Sequence, residues 1–113
     1  MEEKDDHVAG FICINKVEPA EYQGVNWRYE REVIVTHRMA VSSLYRNSGI
    51  GQKLMNHAEE LGKANGITYF KTDTYSMNKK AQELFKRCGY QYVGDIKFRS
   101  LDHPFYCYEK SLP

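Results

Sequence analysis

The chain lacks the features that mark membrane-spanning, secreted and nucleic-acid-binding proteins. No apolar run approaches the roughly 20 residues that a membrane span needs, and residues 1–6, which include four acidic side chains, are the reverse of a signal peptide. The formal net charge of +1 provides no basic field for nucleic acid. We therefore expect a cytoplasmic protein with no membrane or nucleic-acid partner, and one domain over residues 1–113 in which residues 1–6 are disordered.

The chain also lacks the cysteine and histidine spacings of disulfide frameworks and zinc sites. Its three cysteines (Cys13, Cys88 and Cys107) are odd in number, far apart and set in apolar contexts. The four histidines are scattered, with no spacing typical of zinc ligands. This pattern indicates reduced, buried thiols and no metal.

Two common phosphate-binding motifs are missing, although a phosphate-binding arrangement is present. Leu54 occupies the third small-residue position of a dinucleotide fingerprint, and Gln52 follows Gly51 where a P-loop needs lysine. An apolar strand pattern nevertheless runs into a loop at residues 46–51, and an amphipathic helix pattern follows at once. Backbone N–H groups at such a helix start bind phosphate, and glycines allow close approach. The alternative is an ordinary β–α turn that contains two glycines.

The remaining patterns predict an α/β protein with a mixed sheet. Periodicity and turn residues predict strands over residues 8–15, 32–41, 67–74, about 90–98 and 105–111, with helices over 51–65 and 78–88. A loop or hairpin connection is expected over 18–28. The order is β-β-α-β-α-β-β. Two adjacent closing strands after a βαβ unit indicate a mixed sheet and not a doubly wound parallel one.

Two motifs resemble those of the GNAT N-acetyltransferases. Residues 46–51 have the spacing R-x-x-G-x-G, and residues 78–90 read N-x-x-A-x-x-L-F-x-x-x-G-Y. The resemblance covers about Val8 to Leu112. It implies the GNAT-type acyl-CoA N-acyltransferase fold, shortened at its N-terminus, with acetyl-CoA as co-substrate and a small-molecule or peptide amine as the acceptor.

The resemblance also implies which residues bind the co-substrate. Main-chain groups of Met39 and Val41 would pair with the pantetheine arm and polarise the thioester carbonyl. Asn78 would lie beside the pantetheine, although an N-cap role is an equal alternative and one residue could fill both. Backbone N–H groups would wrap the pyrophosphate along one loop: Arg46, Asn47, Ser48, Gly49, Ile50 and Gly51.

His37 is the candidate catalytic base. Strand alternation places it on one face with Val33 and Val35, close to the implied cleft, where an imidazole can act near neutral pH. The segment His37-Arg38-Met39-Ala40-Val41 also resembles aralkylamine acetyltransferases, in which a histidine at this place takes part in proton removal. A purely structural histidine is the alternative, and Glu32 and Asp73 are other candidates for the base.

Two departures from the family leave questions open. Phe85 occupies the place of a family tyrosine often assigned as the acid for the CoA thiolate, and Tyr75, Tyr90 or Tyr92 could substitute for it. The N-terminal strand and helices that usually cover one sheet face also have no counterpart. We therefore expect either a fragment of a longer protein or a homodimer that covers this face.

The favoured function is acetyl transfer from acetyl-CoA to a primary amine by direct attack, with backbone stabilisation of the oxyanion. A non-catalytic acyl-CoA-binding or regulatory module is the main alternative, because Phe85 lacks the hydroxyl. An interaction subunit without cofactor is a third. The sequence does not identify the acceptor amine.

Overall fold

The computed structural model of the chain describes residues 2–4, 7–41, 49–97 and 102–112. Its elements in chain order are β1 (Glu2–Lys4), β2 (His7–Asn15), a 3-10 helix (Ala20–Gly24), β3 (Ile34–Val41), α1 (Ile50–Ala64), β4 (Tyr69–Tyr75), α2 (Lys79–Arg87), β5 (Gln91–Ile96) and β6 (Phe105–Ser111). The strands form one six-stranded sheet in the order β1-β2-β3-β4-β6-β5. Only the β3–β4 pair is parallel, and the other neighbours are antiparallel. The predicted mixed sheet is therefore confirmed.

The structure adds elements at places where the sequence predicted none. Glu2–Lys4 form a short strand on the edge of β2, whereas residues 1–6 were expected to be disordered. Edge pairing uses backbone N–H and C=O groups, so polar side chains do not prevent it. Neither helix that the structure describes is long and apolar enough to cross a membrane.

Both helices pack on one face of the sheet, which we call the helix face. The helical spacing of α1 buries Ile50, Leu54 and Met55 against the strands. Close packing around Gly62, in the last turn of α1, leaves no room for a side chain. A Cβ at this position would lie 2.8 Å from the carbonyl oxygen of Ile67 and from the Phe70 ring.

The opposite face, which we call the cavity face, is covered in part by residues 16–33. Tyr22 in this segment is buried, and Trp27 packs against the same cluster, which includes Val35 and Tyr69. We expected this face to be uncovered because the N-terminal helices are missing. That expectation is wrong for the part of the face under residues 16–33, because the β2–β3 connection folds back over the sheet. Cys13 is exposed and not buried as expected. The homodimer remains a prediction.

A buried carboxylate fastens this segment to the sheet. Glu109 of β6 accepts hydrogen bonds from the Arg28 backbone N–H at 3.1 Å and from the Tyr69 hydroxyl at 2.6 Å. It also pairs with the Arg28 side chain. Burial acts to raise the pKa of the Glu109 carboxyl, but the hydrogen bonds from Tyr69 and Arg28 outweigh it and lower the pKa below its ordinary value. The carboxylate is therefore held in its charged form.

Candidate functional site

The two parallel strands at the centre of the sheet separate before they end. β3 and β4 pair at Ile34–Phe70, Val35–Lys71 and Thr36–Thr72, and no later pair is formed along their described backbone. Both strands nevertheless continue, β3 to Val41 and β4 to Tyr75. β3 keeps its pairing with β2 up to Val41. The facing edges of β3 and β4 thus offer unpaired backbone groups to a ligand in a split.

The sequence-predicted residues Met39 and Val41 lie on the open part of β3. They follow the last pair with β4 by three and five residues. This part of β3 has no strand partner on the side that faces β4 along the described backbone. This is the position at which the family resemblance places main-chain groups for a pantetheine arm.

Helix α1 follows β3 in the chain and begins at Ile50, nine residues after Val41. Gly49 precedes it with φ 80° and ψ 11°, in the left-handed region that favours glycine, and a Cβ there would meet nothing within 4 Å. The Lys53 N–H donates to the Gly49 carbonyl at 3.1 Å. The N–H groups of the first turn, which include those of Ile50 and Gly51, have no carbonyl within the helix to accept them, and Gly49 has no side chain that could.

Part of the predicted phosphate loop cannot be placed. Arg46, Asn47 and Ser48 lie outside the described residues, so their contribution stays a prediction. Gly49, Ile50 and Gly51 form the turn and helix start that the motif predicted.

Asn78 is the N-cap of α2, as one of the two sequence interpretations held. Its side-chain oxygen accepts the Ala81 N–H at 3.1 Å. Its amide nitrogen donates to no group in the described chain, and the residue is exposed. Asn78 lies three residues after the end of β4 at Tyr75. One residue can therefore cap the helix and present its amide nitrogen at this end of the sheet.

His37 directly follows the last β3–β4 pair, and its side chain is exposed. Its Nε2 lies 2.6 Å from Oδ1 of Asn15, an oxygen that also accepts the Val17 N–H at 2.8 Å. Because that oxygen acts as an acceptor, Nε2 carries the proton in this contact. A neutral His37 then keeps the lone pair on Nδ1. The geometry leaves this nitrogen able to take up a proton.

Asp73 occupies the matching position on β4, directly after Thr72. Its Oδ2 accepts the Tyr22 hydroxyl proton at 2.7 Å. Burial raises the pKa of the Asp73 carboxyl, and this hydrogen bond and the nearby His37 lower it by less. Burial and Asp73 also raise the pKa of Tyr22, so the tyrosine keeps its proton. His37 and Asp73 therefore flank the split from neighbouring strands on the cavity face.

Tyr22 is a site residue that sequence reasoning missed. It lies in a segment without periodicity, and its contact with Asp73 spans 51 positions. The polar segment that brings it there was predicted only as a loop. Asp73 itself carried a weak signal, as an acidic residue in a predicted strand.

The candidate acids for a departing thiolate fall in different places. Phe85 is buried, and its ring contacts those of Tyr90 and Tyr108. Tyr90 is also buried, its hydroxyl has no partner in the described part of the chain, and burial raises its pKa. Tyr92 is exposed on β5. Tyr75, at the end of β4, is the candidate nearest to the split.

No group of three or more histidine, cysteine or acidic residues in the described ranges is arranged to hold a metal ion. The chemistry that these residues offer is proton transfer between a histidine and a carboxylate, beside main-chain donors and a helix N-terminus.

Known proteins share this architecture. The chain is 35% identical over 65 residues to "Probable N-acetyltransferase 14" of Xenopus tropicalis, a match that spans 58% of this chain and 32% of that protein. Among solved structures, a Staphylococcus aureus Mu50 protein described as an acetyltransferase superposes with a TM-score of 0.78 at 31% identity, over 98% of this chain and 69% of that one. Arabidopsis thaliana NAA60, solved in complex with acetyl-CoA, superposes with a TM-score of 0.76 at 16% identity, over 97% and 71%. Residues 1–90 match the Acetyltransferase (GNAT) family, and this chain, with its parted central strands and glycine-led helix, belongs to that family.

Proposed function

We propose that the chain is an acetyl-CoA-dependent N-acetyltransferase that acetylates a primary amine by direct attack. The observation that carries the proposal is the split between β3 and β4, with His37 and Asp73 at its start and the glycine-led helix α1 as the next element after β3. Because the chain spans about one third of the curated relative that it matches, the activity of the whole protein is part of the proposal.

The residues around the split fit a CoA thioester. Met39 and Val41 offer main-chain groups on the open edge of β3, and the first turn of α1 offers N–H groups for phosphate. The open space beside Gly49 allows a phosphate to approach the backbone. Asn78 follows the end of β4 by three residues, and its amide nitrogen has no partner among the described residues. When bound, acetyl-CoA supplies the acetyl thioester, and the complex of the structurally similar NAA60 with acetyl-CoA supports this choice.

His37 takes up the proton that the acceptor amine must lose. An alkylamine is mostly protonated at pH 7, because a lysine-like pKa is about 10.4. The lone pair on Nδ1 of His37 can accept this proton, and the Asp73 carboxylate favours the resulting positive charge. The Tyr22 hydroxyl fixes the orientation of Asp73. Backbone N–H groups at the split stabilise the developing negative charge on the thioester oxygen.

The proposal assigns no acid to the departing thiolate. Phe85 has no hydroxyl and is held in the core by two aromatic rings. This feature favours the second candidate function, a module that binds acyl-CoA without catalysis. The two functions differ in one observable, because only the enzyme produces an acetylated amine.

A transfer assay with a set of primary amines tests the proposal. We expect acetylated product by mass spectrometry from wild-type protein and acetyl-CoA. His37→Ala should lower kcat on the order of 100-fold while the Kd of acetyl-CoA changes less than about twofold. His57→Ala, at an exposed position on α1, is the matched control and should retain wild-type rates. Saturable binding of acetyl-CoA without transfer to any amine would favour the non-catalytic module.

A further inference from the structure

The cavity face contains an open cavity of about 570 Å³ between residues 16–33 and the sheet. This volume is within the range of small-molecule sites. Its lining includes Glu18, Tyr22, Trp27, Tyr29, Arg31 and Lys71. Tyr22 lines the cavity and also donates its hydroxyl proton to Asp73 at the split. The cavity and the split therefore share a residue.

Two cations line this cavity, Lys71 from β4 and Arg31 from the segment that covers the sheet. Nζ of Lys71 is 5.5 Å from the centroid of the Tyr69 ring, and Cζ of Arg31 is 5.3 Å from it. Lys71 is only 4% exposed, and its Nζ also lies 4.3 Å from the centroid of the Trp27 ring. A buried ammonium needs a negative partner, and two cations beside one ring concentrate positive charge. The cavity is therefore suited to an anionic group.

The nearest carboxylates are Glu18, on the rim, and the buried Glu109, which is the cross-strand partner of Lys71 and is already bound by Tyr69 and Arg28. Lys71 pairs with Glu18, whose side chain is 41% exposed. Arg31 bonds to the Ser111 hydroxyl and pairs with no carboxylate of the described chain. Glu30 also lines the cavity and is exposed like Arg31, so solvent screens both of these charges and leaves Lys71 as the buried cation of the site. The Glu18 carboxylate is thus a half-exposed group that a ligand carboxylate can displace from Lys71.

The charges follow an order along β4. Asp73 lies two residues beyond Lys71 towards the split, on the same face of the sheet and roughly 7 Å away along the strand. Positive charge therefore lies in the cavity, and the Asp73 carboxylate lies at the split with His37 across from it. An acceptor that carries an amine at one end and a carboxylate at the other matches this order.

We propose that this cavity is the acceptor site and that the acceptor is a small primary amine that also carries a carboxylate, held by Lys71 a few carbon atoms from the reacting nitrogen. This inference rests on the proposed acetyl transfer, which it deepens by naming the class of substrate. In it, Lys71 and Arg31 determine specificity, whereas His37 and Asp73 act on the amine.

Three acceptors of equal length test the inference: 5-aminopentanoate, pentylamine and 1,5-diaminopentane. We expect kcat/KM to be at least tenfold higher for 5-aminopentanoate than for pentylamine, and lowest for the diamine. Lys71→Met should bring the ratio of kcat/KM for 5-aminopentanoate to kcat/KM for pentylamine close to one. Glu18→Gln should raise kcat/KM for 5-aminopentanoate, because it removes the competing carboxylate. Lys63→Met, at an exposed position on α1, should leave the ratio unchanged. Equal kcat/KM for the three acceptors, or a preference for the diamine, would overturn the inference.

Trp27 provides a second readout that needs no catalysis. It is the only tryptophan of the chain and lines the cavity, so its fluorescence reports occupancy directly. We expect a saturable change with 5-aminopentanoate and none with pentylamine, in the absence of acetyl-CoA. This change without any acetyl transfer would leave the cavity site standing and refute the proposed activity. Acetyl transfer without a preference for the carboxylate-bearing acceptor would support the proposed activity and refute the cavity as its acceptor site.

Discussion

The two faces of the sheet are built by different means. On the helix face, α1 and α2 cover apolar residues such as Met55, Phe70 and Phe85, which form one continuous core. On the cavity face, an irregular segment packs on a smaller apolar cluster that includes Tyr22 and Val35. Polar contacts also hold it, among them those of Glu109 with Arg28 and of Tyr22 with Asp73. The helix face is therefore expected to supply most of the hydrophobic stabilisation.

This difference has a functional meaning. Lys71, Asp73 and Glu109 are charged residues that need partners when they are taken out of water. The segment 16–33 supplies a partner to each of them: Glu18 to Lys71, Tyr22 to Asp73 and Arg28 to Glu109. The cavity face thus keeps charged groups next to the split, while the helix face maintains the sheet that positions them.

The largest effect on stability is expected from a truncation on the helix face. Phe85→Ala removes a buried ring that contacts Tyr90 and Tyr108 and should lower the free energy of unfolding by about 3–5 kcal/mol. Urea unfolding followed by circular dichroism measures this change. Val17→Ala, at a position that is 66% exposed, should change it by less than about 0.5 kcal/mol. A loss below about 1 kcal/mol for Phe85→Ala would contradict the assignment of the main core.

A smaller effect on the free energy of unfolding is expected from the loss of the Glu109 carboxylate on the cavity face. Glu109→Gln weakens the contacts to Arg28 and Tyr69 and should cost about 2 kcal/mol at pH 7. The pKa of Glu109 is lowered in the folded state, so its contribution is present above the unfolded value of about 4.3 and is lost as the pH falls through the folded value.

The difference between wild type and Glu109→Gln should therefore shrink on acidification below about pH 4. Denaturant unfolding at several pH values measures it. Glu60→Gln, at an exposed position on α1, is the control and should show little difference at any pH. If wild type remained more stable than Glu109→Gln by the same free energy of unfolding in acid, the role of the Glu109 charge would be refuted.

Removal of the Asp73 charge should reduce catalysis while stability changes little. We expect Asp73→Asn to lower kcat/KM about 10- to 100-fold. Burial raises the pKa of Asp73, so protonation of this carboxylate should add to the loss of rate that acid causes in wild type, and the variant should lack this added loss. pH–rate profiles test this, with Asp95→Asn on β5 as the exposed control. Identical profiles for wild type and Asp73→Asn would remove Asp73 from the mechanism.

The smallest effect on stability is expected at Lys71. Lys71→Met removes one partner of the Lys71–Glu18 pair, but the remaining Glu18 carboxylate is 41% exposed and can be solvated by water, so little charge is left buried without a partner. The free energy of unfolding should change by less than about 1 kcal/mol, in contrast to Phe85→Ala. A loss above about 3 kcal/mol would show that the Lys71–Glu18 pair is a structural requirement of the fold.

The sequence predicted the helix face well and the cavity face poorly, for a physical reason. Periodic burial made both helices and the central strands readable, and the glycine-bearing turn before Ile50 was found from its motif. Glu2–Lys4 escaped prediction because an edge strand is held by backbone bonds. The connection over residues 18–28 was predicted, but its position over the sheet was not, because polar contacts to distant residues, such as Tyr22 to Asp73, leave no periodic signal.

The candidate site shows the same division. His37, Asn78 and the main chain of Met39 and Val41 were predicted from strand alternation and family motifs, and the structure places them around the end of the central strands. The cavity and its cations had no sequence signature, since Arg31 and Lys71 are 40 positions apart. Only folding brings them to one aromatic ring.

Titration calorimetry with acetyl-CoA tests the central claim, that the split and the start of α1 form the CoA site. Gly49 and Gly66 lie at opposite ends of α1, each has positive φ, and a Cβ added at either would meet nothing within 4 Å. Gly49→Glu and Gly66→Glu therefore impose similar backbone strain, but only the first places a carboxylate where phosphate would bind. We predict one saturable site per chain in wild type and Gly66→Glu, and its loss in a folded Gly49→Glu. Equal affinity in all three proteins, or no binding by folded wild type, would contradict the claim.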